Sequence, residues 1–198
     1  MLKVELRRQN TYLQQTWKNG KGESWEIARD SQEPYAWRVS LAKLTQSGPF
    51  SLFEGYDRVT TLLEGGPGQL LSAGKSHSFQ ELKPVRFSGD DQTSVVLVAP
   101  GRDFNLFCFR DRAKGNIYPS YLSEKEEVQF PIVGNEHFVF CVSGSVLWKE
   151  RDSEREISLM PNDCLWFSRE SKKKEYLNQK LIGKSARSCV LWVVIHKL

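Results

Sequence analysis

The sequence predicts an all-β protein made of two fused β-barrels. Three observations carry that prediction. Apolar and polar residues alternate with a period of two along most of the chain. Clusters of Gly, Pro, Asn and Asp interrupt the alternation at regular intervals, and helical periodicity is nearly absent. The 198 residues suit one large domain or two small, intimately packed ones, and are enough to bury a real core.

Taken in order, the first strand is "LKVEL", with Leu2, Val4 and Leu6 on one face and Lys3 and Glu5 on the other. "YAWRVSLAKL" (35–44) sets Tyr35, Trp37, Val39 and Leu41 against Ala36, Arg38, Ser40 and Ala42. Further short strands are expected at 58–64, 69–72, 94–99, 104–110, 127–132, 137–142, 145–150, 156–160, 164–168 and 188–196. The turn signals between them include "EGGPG" (64–68), "APG" (99–101), "AKGN" (113–116), "SGS" (143–145) and "MPND" (160–163). The best helical candidate, "LNQKLIG" (177–183), is short. The last strand, "SCVLWVVIH", is apolar on both faces and belongs inside a sheet. Closing a sheet on itself also removes exposed edges, which otherwise invite aggregation.

The stretch "HFVFCVSGSVLWKERDSEREISLMPNDCLWF" (137–167) reads strand, Gly turn, strand, polar tip, strand, Pro-Asn-Asp turn, strand. That order resembles the core of a cupin barrel, with Gly144 and "MPND" at the two corners. The run from "RVTTLLEGGPGQLLSAGK" to "SVVLVAP" is a looser version in the first half. The resemblance implies a bicupin of two jelly-roll barrels, one over 1–110 and one over 111–198. "DRAKGNIYPS" (111–120) is the expected crossover, and terminal strands are free to cross between barrels.

Composition excludes several classes. The formal charge of +4 is mild, and much of the basic excess lies in "RESKKKEYLNQK" (169–180), which reads as a solvated face with no helical basic stripe or stacking motif. Nucleic acid is therefore not an expected partner. No stretch approaches the ~20 apolar residues of a membrane span, and "MLKVELRRQN" lacks the apolar core of a signal peptide. The four cysteines are 33, 23 and 25 residues apart, each within an apolar run, with no CxxC pair. A cytoplasmic protein with reduced, buried cysteines is the expectation.

Metal and cofactor chemistry find little support. Metal-dependent cupins use a His-x-His pair, a downstream Glu and a later His, because alternate residues of one strand project into one lumen. His77, His137 and His196 form no such pair; His77 is expected in a loop, and His137, beside Glu136, reads as structural. No Gly-x-Ser-x-Gly elbow or Walker loop is present, and no cysteine sits where its pKa would fall. No metal and no cofactor are expected.

Polar residues recur instead beside aromatic, glycine-punctuated loops in the first half. "TWKNGKGESWEI" (16–27) contributes Trp17, Lys18, Asn19 and Glu26; "AWRVSLA" contributes Arg38 and Ser40. "SGPFSLFEGYDR" (47–58) is an aromatic loop feeding a strand at Arg58. "RFSGDD" (86–91) supplies Asp90, and "PGRDFNLFCFR" (100–110) puts Asp103 and Asn105 on one strand face. In this reading Trp17 is an apolar wall, Asn19 offers both donor and acceptor, and the glycines let backbone approach a ligand.

"WKNGKGESWEI", "WRVSLA", "GPFSLFEGYDR", "FSGDD" and "GRDFN" occur in the order and approximate spacing of the HutD/Ves family of bicupins. The resemblance covers residues 15 to 110; the second half matches through its cupin layout. Two departures stand out. Lys21 breaks the family's glycine run, and Ser24-Trp25-Glu26 replaces a common Thr-Arg-Glu, keeping the glutamate and losing the arginine. The resemblance implies a bacterial regulatory protein connected with histidine utilisation or stress, with no reaction attached.

Two functions follow. The first is a metal-free binding protein for a small carboxylate metabolite, with Arg38 and Arg58 as paired hydrogen-bond donors if both face one lumen. Urocanate and N-formylglutamate are the candidates, and a homodimer is compatible with this reading. The second is a metal-free cupin isomerase or hydrolase using Asp90, Asp103 or Glu26 as acid or base. The binding role is weighted above the enzyme.

Overall fold

The computed structural model describes residues 2–17, 22–150, 154–169 and 177–198. The first half of the chain forms β1 (Leu2–Arg7), β2 (Leu13–Thr16), β3 (Gly22–Arg29), β4 (Trp37–Leu44), β5 (Gly48–Pro49), β6 (Tyr56–Glu64), β7 (Gly68–Ser72), β8 (Lys75–Phe79), β9 (Val85–Ser88), β10 (Thr93–Leu97) and β11 (Gly101–Phe109). The second half forms β12 (Ala113–Ser123), β13 (Glu127–Ile132), β14 (Glu136–Ser143), β15 (Val146–Lys149), β16 (Glu156–Leu159), β17 (Cys164–Arg169), β18 (Leu177–Gly183) and β19 (Arg187–Lys197). One short 3-10 turn, Gln9–Thr11, follows β1. The protein is all-β, and no helix among the described residues is long and apolar enough to cross a membrane.

Two compact units emerge. The N-terminal unit comprises Tyr12–Ile117 with Lys197–Leu198; the C-terminal unit comprises Met1–Thr11 with Tyr118–His196. The chain therefore changes unit within β12, after Ile117, whereas the sequence reading divided it after residue 110. The segment read there as a crossover is itself a strand.

In the N-terminal unit, a six-stranded sheet ordered β2-β3-β4-β11-β6-β9 accompanies a four-stranded sheet ordered β5-β10-β7-β8. The register of β11 fixes the interior. Phe107 lies opposite Arg38 and Arg58, Asn105 opposite Ser40 and Thr60, and Asp103 opposite Ala42 and Leu62. Because facing residues of antiparallel strands share a face, these side chains form successive rungs. Leu44 and Leu62 continue the same faces into an apolar core with Leu70, Phe79, Val85, Phe87 and Val95. The interior thus passes from polar rungs to hydrocarbon along one sheet. His77, expected in a loop, lies on β8 opposite Leu70.

The C-terminal unit pairs a five-stranded sheet, β1-β17-β14-β19-β12, with a four-stranded one, β13-β18-β15-β16. The first strand of the chain runs antiparallel to β17, from Leu2 opposite Arg169 to Arg7 opposite Cys164. Strands β14 to β17 reproduce the expected order, with Gly144 and Asn162 in left-handed conformations (φ 69° and 70°) at its two corners. The helical candidate at 177–183 is strand β18, paired on both sides by β13 and β15. Gln179 and Leu181 are buried there at strand spacing, and neighbours on both edges outweigh weak local helix propensity. Trp148 Nε1 donates to Gln179 Oε1 at 2.9 Å inside this core. His137 is fully buried and accepts from the Gly134 N–H through Nε2 at 2.9 Å; burial pushes its pKa down to about 4.

All four cysteines are free and buried. Burial pushes the Cys108 and Cys141 thiols up to about 12, so neither is an activated thiolate.

Candidate ligand-binding site

The polar rungs of the N-terminal unit open into a cavity of about 830 Å³. Trp17, Arg38, Ser40, Arg58, Asp103 and Asn105, all singled out in the sequence, line it together. Glu26 is not among the lining residues and instead pairs with Arg38 at 2.8 Å. Lys18 and Asn19 fall outside the described residues. Asp90 stands apart: it accepts from the Gly55 N–H at 2.7 Å and from Ser88 Oγ at 3.1 Å, and it pairs with Arg110. Those bonds hold its carboxyl below the usual range and make it a fastener of the 53–57 turn. Asp90 is therefore removed from the set of acid–base candidates.

The loop before β6 is placed by backbone. Phe53 N donates to Gly89 O at 2.9 Å, and Gly89 N donates to Tyr56 O at 2.7 Å. A Cβ on Gly89 would stand 2.3 Å from Phe53 O, so only glycine admits this approach. Pinned this way, Phe50 and Phe53 reach the Arg58 guanidinium. Its carbon lies 4.5 Å from the Phe107 ring centroid, 4.8 Å from Phe87, 5.1 Å from Phe50 and 5.3 Å from Phe53. Four ring faces offer quadrupolar attraction to a cation taken out of water.

Hydrogen bonding to Arg58 is sparse by comparison. Nη1 donates to Ser51 O and Nη2 to Asn105 Oδ1, each at 3.4 Å, and the buried Nε has no partner. Arg58 is 6% exposed and, among the described residues, forms no ion pair. Burial pulls its pKa down to about 10, opposed by the charge of Asp103. Asp90 and Glu64 are engaged elsewhere, with Arg110 and Arg102 respectively.

Arg38 is held differently. Its Nε donates to Glu26 Oε2 at 2.8 Å, Nη2 reaches Gln15 Oε1 at 3.4 Å, and the guanidinium lies 5.5 Å from the other guanidinium's neighbour, the Phe107 ring. Asp103, 1% exposed, accepts from Thr60 Oγ1 at 2.9 Å and from Asn105 Nδ2 at 2.8 Å. Asn105 thus connects Arg58 to Asp103 through its two amide atoms. Burial pushes the Asp103 carboxyl up to about 6, against the downward pull of those two donors.

Trp17 forms an apolar wall. Its backbone N–H donates to Gly22 O at 3.0 Å, and its ring lies over Gly22, where an added Cβ would meet it at 2.7 Å. Trp17, Leu44 and Phe50 also border a smaller cavity of about 120 Å³. Sequence reasoning missed Phe53, Phe87, Phe107 and Thr60 as site residues. Phe107 was detectable, since Asp103, Asn105 and Phe107 alternate along one strand. Phe87 was not, because only the register of β9 on β6 sets it opposite Arg58. Among the described residues, no three of His, Cys, Asp and Glu gather to hold a metal ion.

A family model described as HutD matches residues 9–186. A 21.2 kDa protein of the hutC 3′ region of Pseudomonas putida is 38% identical over 122 residues, 59% of this chain and 64% of that protein. Protein Ves of Citrobacter koseri is 36% identical over 107 residues, 51% of this chain and 56% of that protein. The matches with these curated relatives thus span less than two thirds of their length. The structure of HutD from Pseudomonas fluorescens SBW25, in a formate condition, superposes with a TM-score of 0.81 at 28% identity, covering 99% of this chain and 100% of that one. A cupin 2 conserved barrel domain protein from Leptotrichia buccalis shares the fold at a TM-score of 0.59 and 8% identity, over 91% of each chain.

Proposed function

We propose that this chain, which belongs to the HutD family, binds a small carboxylate metabolite in the Arg58 cavity and has a regulatory role. The observation that carries the reading is the state of Arg58 itself. A buried guanidinium with one orphaned nitrogen, two long hydrogen bonds and no ion pair is costly to maintain. A ligand carboxylate would supply the paired, charge-assisted bonds that its planar fork is built to make. Phe50, Phe53, Phe107 and Trp17 in the lining favour a ligand with a flat or apolar body, as small-molecule sites commonly do.

Urocanate and N-formylglutamate are the first candidates, because relatives carry names connected with the hut genes. Calorimetric titration of both against the wild-type protein and Arg58→Ala is the test. Binding by wild type and its loss in a folded variant are expected; a wild-type protein indifferent to small carboxylates would sink the reading.

A second reading has one specific observation behind it. Asp103 lines the cavity with a carboxyl at about 6, within the range a general acid or base needs near neutrality. A metal-free isomerase or hydrolase would then consume the bound metabolite. A time course of the candidate with protein, followed by proton NMR, distinguishes turnover from binding.

A further inference from the structure

The charged side chains around the cavity balance one another. Arg38 is matched by Glu26 at 2.8 Å. Glu26 also receives Arg29 at 3.5 Å, and Arg29 is matched in turn by Glu33 at 2.6 Å. Arg58 has Asp103 as its countercharge, connected through Asn105 rather than by contact. Two further groups face this set: Thr60 from β6, which is neutral, and Tyr35, whose phenol burial raises. The loop before β6 contributes only the neutral Phe50, Ser51 and Phe53. Among the described residues these charged groups therefore sum to zero, and a carboxylate that pairs with Arg58 shares with Asp103 the one positive charge that balances it.

We propose that the cavity takes a simple carboxylate together with one proton, and that Asp103 carries the proton. The inference rests on the carboxylate-binding reading and adds its chemistry. Two negative charges close together in a site shielded from water cannot both persist cheaply. Asp103 is the group able to yield. Its free carboxyl already sits near 6 because of burial, and a second carboxylate can only raise it further. The proton comes from solvent and adds to an Asp103 oxygen; no bond in the ligand changes. Protonated Asp103 can still accept from Thr60 and Asn105, and gains an O–H to donate.

The sign follows by linkage. Below about pH 6 Asp103 is protonated before the ligand arrives, so binding is independent of pH until the ligand's own carboxyl titrates. Above that value each binding event takes up a proton, and affinity falls by up to about tenfold per pH unit until the carboxyl in the complex also ionises.

Formate, acetate and benzoate, none of which titrates between pH 6 and 8, are the probes. Each is titrated calorimetrically at pH 7.5 in phosphate, imidazole and Tris, whose ionisation enthalpies differ, and whichever binds is followed from pH 6 to 8. The expected result is an observed enthalpy that varies with buffer in proportion to about one proton taken up. Asp103→Asn should abolish both the buffer dependence and the pH slope. Buffer-independent enthalpy with measurable binding overturns the proton uptake while leaving the carboxylate site intact. No heat from any of the three overturns both. The wild-type buffer series stands alone if Asp103→Asn fails to fold.

Discussion

The guanidinium carbon of Arg58 lies 4.5 Å from the centroid of the Phe107 ring, and Arg38 approaches the same ring at 5.5 Å. One aromatic ring therefore serves two buried cations whose hydrogen bonding differs. Arg38 has a carboxylate at 2.8 Å. Arg58 has carbonyl oxygens at 3.4 Å and rings. The cation with no carboxylate in direct contact is the one equipped to receive one.

Replacing Arg58 separates a ligand anchor from a structural cation. Arg58→Ala should weaken binding of a small carboxylate by about 2–4 kcal/mol, as when one partner of a buried charge pair is lost. Arg58→Lys should be nearly as damaging, because an ammonium cannot reproduce the bidentate fork. Titration beside a thermal melt of each variant is the measurement. Unchanged affinity in a folded Arg58→Ala protein would show that the arginine serves the fold alone.

Phe107→Leu tests whether the ring face stabilises the cations. Leucine keeps an apolar side chain on the rung but has no quadrupole, so stability should drop by about 1–2 kcal/mol in urea unfolding. Phe107→Ala adds a cavity and should cost about 3–5 kcal/mol. A leucine variant as stable as wild type would mean that the rings near Arg58 act only as packing.

The sequence made a strand such as β4 legible because its two faces differ in polarity, although both are buried, so alternation survives where one interior is polar. Arg38 and Ser40 alternate with Val39 and Leu41 as strictly as any apolar pair. Strand β18 was not legible: "LNQKLIG" has little alternation of its own and is held by β13 and β15. The same limit governed the site. Asp103 and Asn105 share a strand, so their proximity follows from period two. Asp90 looked equivalent in composition, yet its neighbours are Gly55, Ser88 and Arg110, brought by loop closure that no local pattern encodes.

In the C-terminal unit, His137 gives the protein an acid-sensitive element. Its pKa falls from 6.5 to about 4 on folding, so the unfolded chain binds the proton first as pH drops. Its contribution is complete above about pH 6.5 and declines toward pH 4, by up to about 3 kcal/mol in all. Asp103 acts oppositely in that window, since its raised carboxyl favours the folded state as pH falls from about 6. The difference between wild type and His137→Gln isolates the histidine. Urea melts at pH 7, 5.5 and 4.5 should show the two proteins converging as pH falls, and parallel curves would remove His137 as the cause.

Glu26→Gln separates the stability of the cavity from its affinity. Both members of the Arg38–Glu26 pair are about nine-tenths buried, so neutralising one leaves a desolvated guanidinium without its countercharge. Breaking a buried pair from one side costs about 3–5 kcal/mol; Arg29 and Gln15 beside the pair place the expected loss at the low end. The same change gives the cavity one net positive charge. A carboxylate should then bind more tightly at pH 8 and take up less than one proton, because the added anion is already compensated. The double variant Glu26→Gln/Arg38→Gln restores neutrality and should recover much of the lost stability while returning affinity toward wild type. Urea melts and calorimetric titration of the three variants read both quantities. Stability and affinity falling together in Glu26→Gln would mean that the pair shapes the cavity rather than setting its charge.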